Sequence, residues 1–140
     1  MKLRTQELMG RALDWAVAMC EGATELRSDG ITWGFQLGGD LKVLAPGWSL
    51  SMSYCPSSDW AVGGPILERE HICPEWLASE WKAERRVAGK PYAENPQVFP
   101  IVVTNVSYGP EPLIASMRCY VASKLGAEID IPDALLPAQG

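Results

Sequence analysis

The sequence predicts an α+β fold, a single domain in which a small, mostly antiparallel sheet packs against N-terminal and C-terminal helices, with an additional central helix. Three observations predict it. Apolar residues recur at helical spacing near both ends of the chain, short β-rich runs separated by glycine-containing turns lie between them, and no repeat, low-complexity stretch or linker divides residues 1–140. A chain of this length removes roughly two thirds of its unfolded-state surface from water, enough for a core without disulfide staples.

The first helix is expected over residues 6–21. Thr5 is placed to cap it, Glu7 sits in the first turn where the helix dipole favours an acid, and Gly22 supplies a left-handed stop. Leu8, Ala12, Trp15 and Met19 form one apolar stripe, widened by Leu13, Val17 and Cys20. A turn at Ser28, Asp29 and Gly30 then leads to a strand over 31–35, joined through Gly38, Gly39 and Asp40 to a second over 41–44, a hairpin pattern. Trp48, Leu50, Met52 and Tyr54 alternate with serines, the period-two pattern of a half-buried strand.

Residues 65–72 read as a short extended segment. Pro74 suits the first turn of the central helix, which is expected to run to about Val87 with Trp76, Leu77 and Trp81 on its apolar face. An irregular connection leads to a hydrophobic strand over 98–106, where Pro100 marks an edge or a bend. The last helix is expected over 111–125, with Pro112 in its first turn and Gly126 as its stop. Ile114, Met117, Val121 and Leu125 form its stripe, Leu113 and Tyr120 widen it, and it is expected to pack on the first helix. Residues 128–131 read as a short terminal strand, after which Leu135, Leu136 and Pro137 dock or fray.

Composition narrows the function classes. The net charge of −5 and the lack of a long Lys/Arg run argue against sequence-independent nucleic-acid binding, which works by neutralising several phosphates. Lys82, Arg85 and Arg86 would share a helical face, but Glu80 and Glu84 balance them as on an ordinary solvated surface. No apolar run approaches the roughly 20 residues of a membrane span. The amino terminus has neither an apolar leader region nor a small-residue cleavage site, so the expectation is a soluble cytoplasmic protein. Cys20, Cys55, Cys73 and Cys119 are widely spaced without a CxxC pair and are expected to be free thiols, most of them buried.

The most distinctive stretch is YCPSSDWAVGGPILERE, residues 54–70. It resembles the phage NinX-like family, small proteins of unknown function from tailed phages and prophages, whose pattern here is close to YSPSTDWxxGGPIIERE. A second block, GPEPLIASMRCYVASKLGAEIDIP over 109–132, resembles the family's GPTPLIAAMRxxVASKxGDEVxVP, and the opening GRALDWAVA is a third, weaker match. The chain departs from the pattern at Cys55, Glu111 and Ala127. The resemblance implies a phage or prophage accessory protein in the bacterial host cell and supplies no reaction, cofactor or substrate.

Two readings of the motif stand side by side. In one, Asp59 and Trp60 face a ligand or partner, Ser57, Ser58, Gly63 and Gly64 shape the loop, and Glu68 adds a second acid. In the other, Trp60 plugs the core and Asp59 caps backbone donors. The glycine pair lacks the Lys-Ser or Lys-Thr of a phosphate loop, and Pro65 removes a donor. Glu68 and Glu70 would share one face of a strand, although alternating charge is common on solvated strands. His71, the only histidine, lies two residues from Cys73; a Cys/His pair or a zinc site with Cys55 is short of ligands and spacing. Arg118 is read as the exposed position of the last helix. The favoured function is a binding module for a protein partner or small ligand, with no cofactor or metal. The alternative is a small enzyme acting on a polar or nucleotide-like substrate through Asp59, Glu68 and His71.

Overall fold

A proline at its first position, a left-handed glycine at its end (Gly126, φ 91°) and a nearly continuous apolar run make residues 112–125 the helix on which the other elements dock. The computed structural model describes residues 1–28, 33–44 and 52–136. In chain order these form β1 (Lys2–Arg4), a 3-10 turn (Thr5–Glu7), α1 (Gly10–Cys20), β2 (Thr24–Ser28), β3 (Trp33–Leu37), β4 (Asp40–Val43), α2 (Trp60–Glu70), β5 (Ile72–Trp76), β6 (Trp81–Ala88), β7 (Ile101–Gly109), α3 (Pro112–Leu125), β8 (Glu128–Asp130) and a second 3-10 turn (Asp133–Leu135). The strands make three antiparallel sheets, β1-β8, β2-β3-β4 and β5-β6-β7, and the architecture is α+β as expected.

Every residue of α3 from Leu113 to Val121 is buried. The helix touches α1, α2, β5, β6, β7, β8 and the first 3-10 turn. Leu13 and Val17 from α1, Ile66 and Leu67 from α2, and Ala83 from β6 complete a core with Met117, Tyr120 and Val121. Arg118 is therefore not on an exposed side. It is 7% exposed, and its Nε and Nη1 donate to the carbonyls of Leu8 (2.9 Å) and Tyr108 (2.8 Å). Those two carbonyls lie before α1 and at the end of β7, so one guanidinium fastens both to α3.

The first helix starts at Gly10 rather than residue 6, because Thr5 is used elsewhere. Its amide donates to Ala127 O (2.8 Å) and its hydroxyl to Gly126 O (2.6 Å), which holds the start of the chain against the end of α3. Glu7 lies in the 3-10 turn and pairs with Arg4. Gly22, at φ 92°, follows the last residues of α1 as expected. The β3-β4 hairpin is present, with Leu37 opposite Asp40 and both intervening glycines at positive φ, as a tight two-residue hairpin requires. Strands β1 and β2 were not expected. Asp29 and Gly30, the residues 48–51 of the alternating run and Pro137 lie outside the described residues, while Leu135 is buried.

The middle of the chain differs most. The additional central helix exists, but it is α2, over residues expected to be an extended segment. Residues 74–87, expected to be that helix, form the β5-β6 hairpin instead. Cross-strand chemistry explains the exchange: Glu75 faces Lys82 and Trp76 faces Trp81, and Glu84 pairs along β6 with Lys82 (2.7 Å) and Arg86 (3.2 Å). Trp76 is 65% exposed rather than part of an apolar face. Lys82, Arg85 and Arg86 thus make no helical basic patch, and Arg85 turns toward Glu70 of α2. The hydrophobic strand near 98–106 is β7, which starts after Pro100 and lies at the edge of its sheet.

Candidate functional site

The motif is built on a buried turn. Met52 O accepts from Val43 N and Tyr54 N donates to Val43 O, which ties the entry to β4. Tyr54 then stacks edge-on against Phe35, with centroids 5.3 Å apart. Cys55 O accepts from the amides of Ser58 (3.0 Å) and Asp59 (2.8 Å), closing the turn. Asp59 has extended backbone angles and its side chain accepts from Ala61 N at 3.0 Å, so it is the N-cap of α2. Ser57 is buried, and its amide donates to Asp14 Oδ1 at 2.9 Å.

Asp14 is a site residue that sequence reasoning passed over. It sits on α1 with 5% of its surface exposed. Burial pushes its carboxyl up to about 6, against the opposing pull of the bonds from Ser57. The available signal was an acid between Leu13 and Trp15 in an otherwise apolar stretch.

Gly63 and Gly64 are helical rather than part of a loop, and they have opposite roles. A Cβ at Gly63 would lie 2.4 Å from Pro56 O and 2.9 Å from Leu113 Cδ2, so only glycine lets α2 approach both the turn and α3. A Cβ at Gly64 would meet only Trp60 Cε3 at 3.9 Å. Pro65 lies inside the helix. Its missing N–H withdraws a bond from the exposed side, while Ile66 and Leu67 bury the opposite side.

The charged run closes the helix. Arg69 donates to both oxygens of Glu21 on the residue after α1 (3.0 and 2.8 Å), and Tyr120 Oη donates to Glu21 at 2.7 Å. Hydrogen bonding to Glu21 raises the Arg69 guanidinium further above its ordinary value. Burial alone would raise the Glu70 carboxyl, but bonds from Arg69 and Lys124 outweigh it and hold the group below the usual carboxylate range. The run therefore joins α1, α2 and α3 by charge-assisted contacts. His71 ends α2 in a left-handed conformation (φ 56°).

These placements divide the expected site residues. Ser57 and Gly63 are interior, whereas Ser58, Asp59, Trp60 and Glu68 are exposed and Gly64 is half-buried. Trp60, Gly64 and Glu68 follow i, i+4, i+8 and share one helix face. Trp60 does not plug the core; it is 53% exposed. Asp59 and His71 bracket a helix of 11 residues, which separates them by roughly 18 Å. Glu68 and Glu70 are not paired on a strand.

Burial raises the thiols of Cys20 to about 12 and Cys119 to about 11, and raises that of Cys55, the reverse of what activates a nucleophile. All four cysteines are free; Cys55 and Cys119 are buried and Cys20 and Cys73 are half-buried. Among the described residues, no three of His, Cys, Asp and Glu cluster so as to hold a metal ion. A cleft of about 530 Å³ lies at Gln6, Ser79, Glu80, Tyr108 and Arg118, away from the motif. An apolar groove of about 300 Å³ runs between His71, Arg86 and the start of β7.

The family model described as Bacteriophage P22, NinX matches residues 4–124. The chain belongs to this phage family. The matched span includes Asp14, Glu21, the whole of α2 and Lys124, so both the buried turn and the charged junction of the three helices lie within the NinX match. No curated protein matches the chain. Among the described residues no helix is long and apolar enough to cross a membrane.

Two outcomes are expected of these assignments. Asp14 has a raised folded-state value, so the folded protein holds more protons than the unfolded chain between about pH 4 and 6, and this carboxyl favours folding below that window and opposes it above. Lowering the pH from 7 to 4 should therefore stabilise wild type by about 2 kcal/mol relative to Asp14→Asn in paired urea titrations. Glu70 acts in the opposite direction but is common to both proteins. Parallel pH profiles would contradict the assignment. Gly63→Ala should cost more than about 2 kcal/mol through the clash with Pro56, whereas Gly64→Ala should gain up to about 1 kcal/mol of helix propensity, both read by denaturant unfolding.

Proposed function

We propose that this NinX-family protein is a binding module that engages a protein partner through the exposed face of α2, with Trp60 as the anchor. The observation that supports this reading is the exposure of Trp60 within a motif whose neighbouring special residues serve the fold: Ser57 holds Asp14, Asp59 caps the helix and Gly63 admits Pro56 and Leu113. A large aromatic side chain left half in solvent next to an unbranched shelf at Gly64 has the form of an interface anchor. Glu68, one turn beyond Gly64, adds an acid to the same face and favours a partner with a basic group beside an apolar pocket.

An enzyme acting on a polar or nucleotide-like substrate is less well supported. Its three candidate groups are spread along α2, with Asp59 and His71 at opposite ends, too far apart to act together on one reacting atom.

The test is capture of partners from extracts of phage-infected cells by the immobilised full chain. Trp60→Ala should remain cooperatively folded, losing no more than about 2 kcal/mol for the half of the ring that is covered, and should abolish specific capture. A folded Trp60→Ala protein that captures the same partner as well as wild type would sink the proposal.

A further inference from the structure

The cleft of about 530 Å³ lies between the turn that joins β5 to β6, the end of β7 and the start of α3. Ser79 and Glu80 of the turn, Tyr108, Gly109 and Pro110 after it in the chain, and Arg118 of α3 all line it. Arg118 is only 7% exposed, and the two carbonyls it binds do not exhaust it. A guanidinium has five N–H donors. Nε and Nη1 each give one, to Leu8 O and Tyr108 O, which leaves both donors of Nη2 and one of Nη1. Nη2 donates to no group among the described residues, yet it is not sealed in the interior. It is therefore reached by solvent, and the cleft is the opening that Arg118 lines.

The charge of Arg118 is unmatched as well. Carbonyls carry no net charge, and no ion pair among the described residues includes this side chain. Burial lowers its pKa and no acid pulls it back. The first turn of α3 starts two residues beyond Pro110 without a side-chain cap, which adds partial positive charge beside the cleft. A buried cation that lacks an acid and keeps donors free toward a cleft is equipped to receive an anion.

We propose that this cleft binds a small organic acid, its carboxylate held by the free N–H groups of Arg118 and its apolar body against Tyr108 and Pro110. Charge selects a carboxylate. One guanidinium balances one negative charge, whereas a phosphate monoester, at about −1.5 to −2, brings a surplus against the exposed Glu80. The volume suits a molecule larger than acetate, since small-ligand sites run from about 300 to 1,000 Å³. Tyr108 is 43% exposed, which leaves part of its ring uncovered for such a molecule. The cleft contains no residue of α2, so the inference stands independently of partner binding through Trp60.

A nuclear magnetic resonance titration of the isotope-labelled full chain with benzoate, near neutral pH and at constant ionic strength, reads binding residue by residue. Saturable shifts are expected at the amides of Ser79, Glu80 and Gly109 and at the Arg118 Nε–H, with a dissociation constant on the order of 1 mM for so small a probe. Benzamide, the same shape without the charge, should give no saturable shift. Because Arg118 also fastens two backbone segments, the charge is varied at exposed residues of the cleft instead. Ser79→Glu should weaken benzoate binding about two- to fivefold and Glu80→Gln should tighten it by a similar factor, both with unchanged far-UV circular dichroism. The absence of a saturable shift with benzoate overturns the proposal, as does an equal response to benzamide or a benzoate affinity that both folded variants leave unchanged. Tighter binding of phenyl phosphate than of benzoate overturns the choice of a carboxylate.

Discussion

Burial of α3 on every side is the constraint from which the rest of the structure follows. A helix with no solvent-facing side through nine residues, Leu113 to Val121, must be enclosed by several elements at once. Here α1 and α2 and the β5-β6-β7 sheet all lie against it. Enclosure has a polar cost, because Arg118 loses water on burial and its pKa falls. The cost is offset by two carbonyls, which the guanidinium binds where α1 begins and where β7 ends. Tyr120 adds a phenol that reaches the Glu21 and Arg69 pair at the helix junction.

Around that helix, the distinctive sequence blocks serve mainly as joints. The opening block GRALDWAVA supplies Asp14, the block over 54–70 supplies Ser57, Asp59, Gly63 and the Arg69-Glu70 pair, and the block over 109–132 supplies Arg118, Tyr120 and Lys124. Their contacts cross between blocks: Asp14 with Ser57, Gly63 with Leu113, Arg69 with Tyr120, Glu70 with Lys124. What remains free is equally informative. Trp60 on α2 and the apolar row on β7 are exposed, and they lie on separate elements.

The ends of the chain were legible because their signals are local. Helical spacing with Pro112 and Gly126 located α3, and Gly38-Gly39 located the hairpin, since those residues set backbone angles themselves. The middle was not, because contacts distant in sequence decide it. Gly63 and Gly64 read as shaping a loop and Pro65 as opening an extended segment, yet the Asp59 cap, the contact of Gly63 with Pro56 and the burial of Ile66 and Leu67 outweigh their low helix propensity. Residues 74–87 are rich in helix formers, but their pairing depends on opposite strands that a local window does not contain. Arg118 was misplaced because a helix was assumed to have a wet side. Of the candidate site, each reading of the motif held for one residue: Asp59 caps backbone donors, as in the structural reading, and Trp60 is exposed, as in the ligand-facing one. Asp14 gave one weak sign, an acid set in an apolar helix.

Enclosed on every side, α3 should be the last part of the molecule to open, with the surrounding elements depending on it. Native-state hydrogen exchange tests it most directly. The amides of 116–121 should exchange only through global unfolding, with the same free energy and denaturant dependence as the whole protein, while β1, β2 and the solvent-facing turn of α2 open at lower free energy. Exchange of the α3 amides through a smaller, sub-global opening, with β5-β6-β7 still protected, would contradict it.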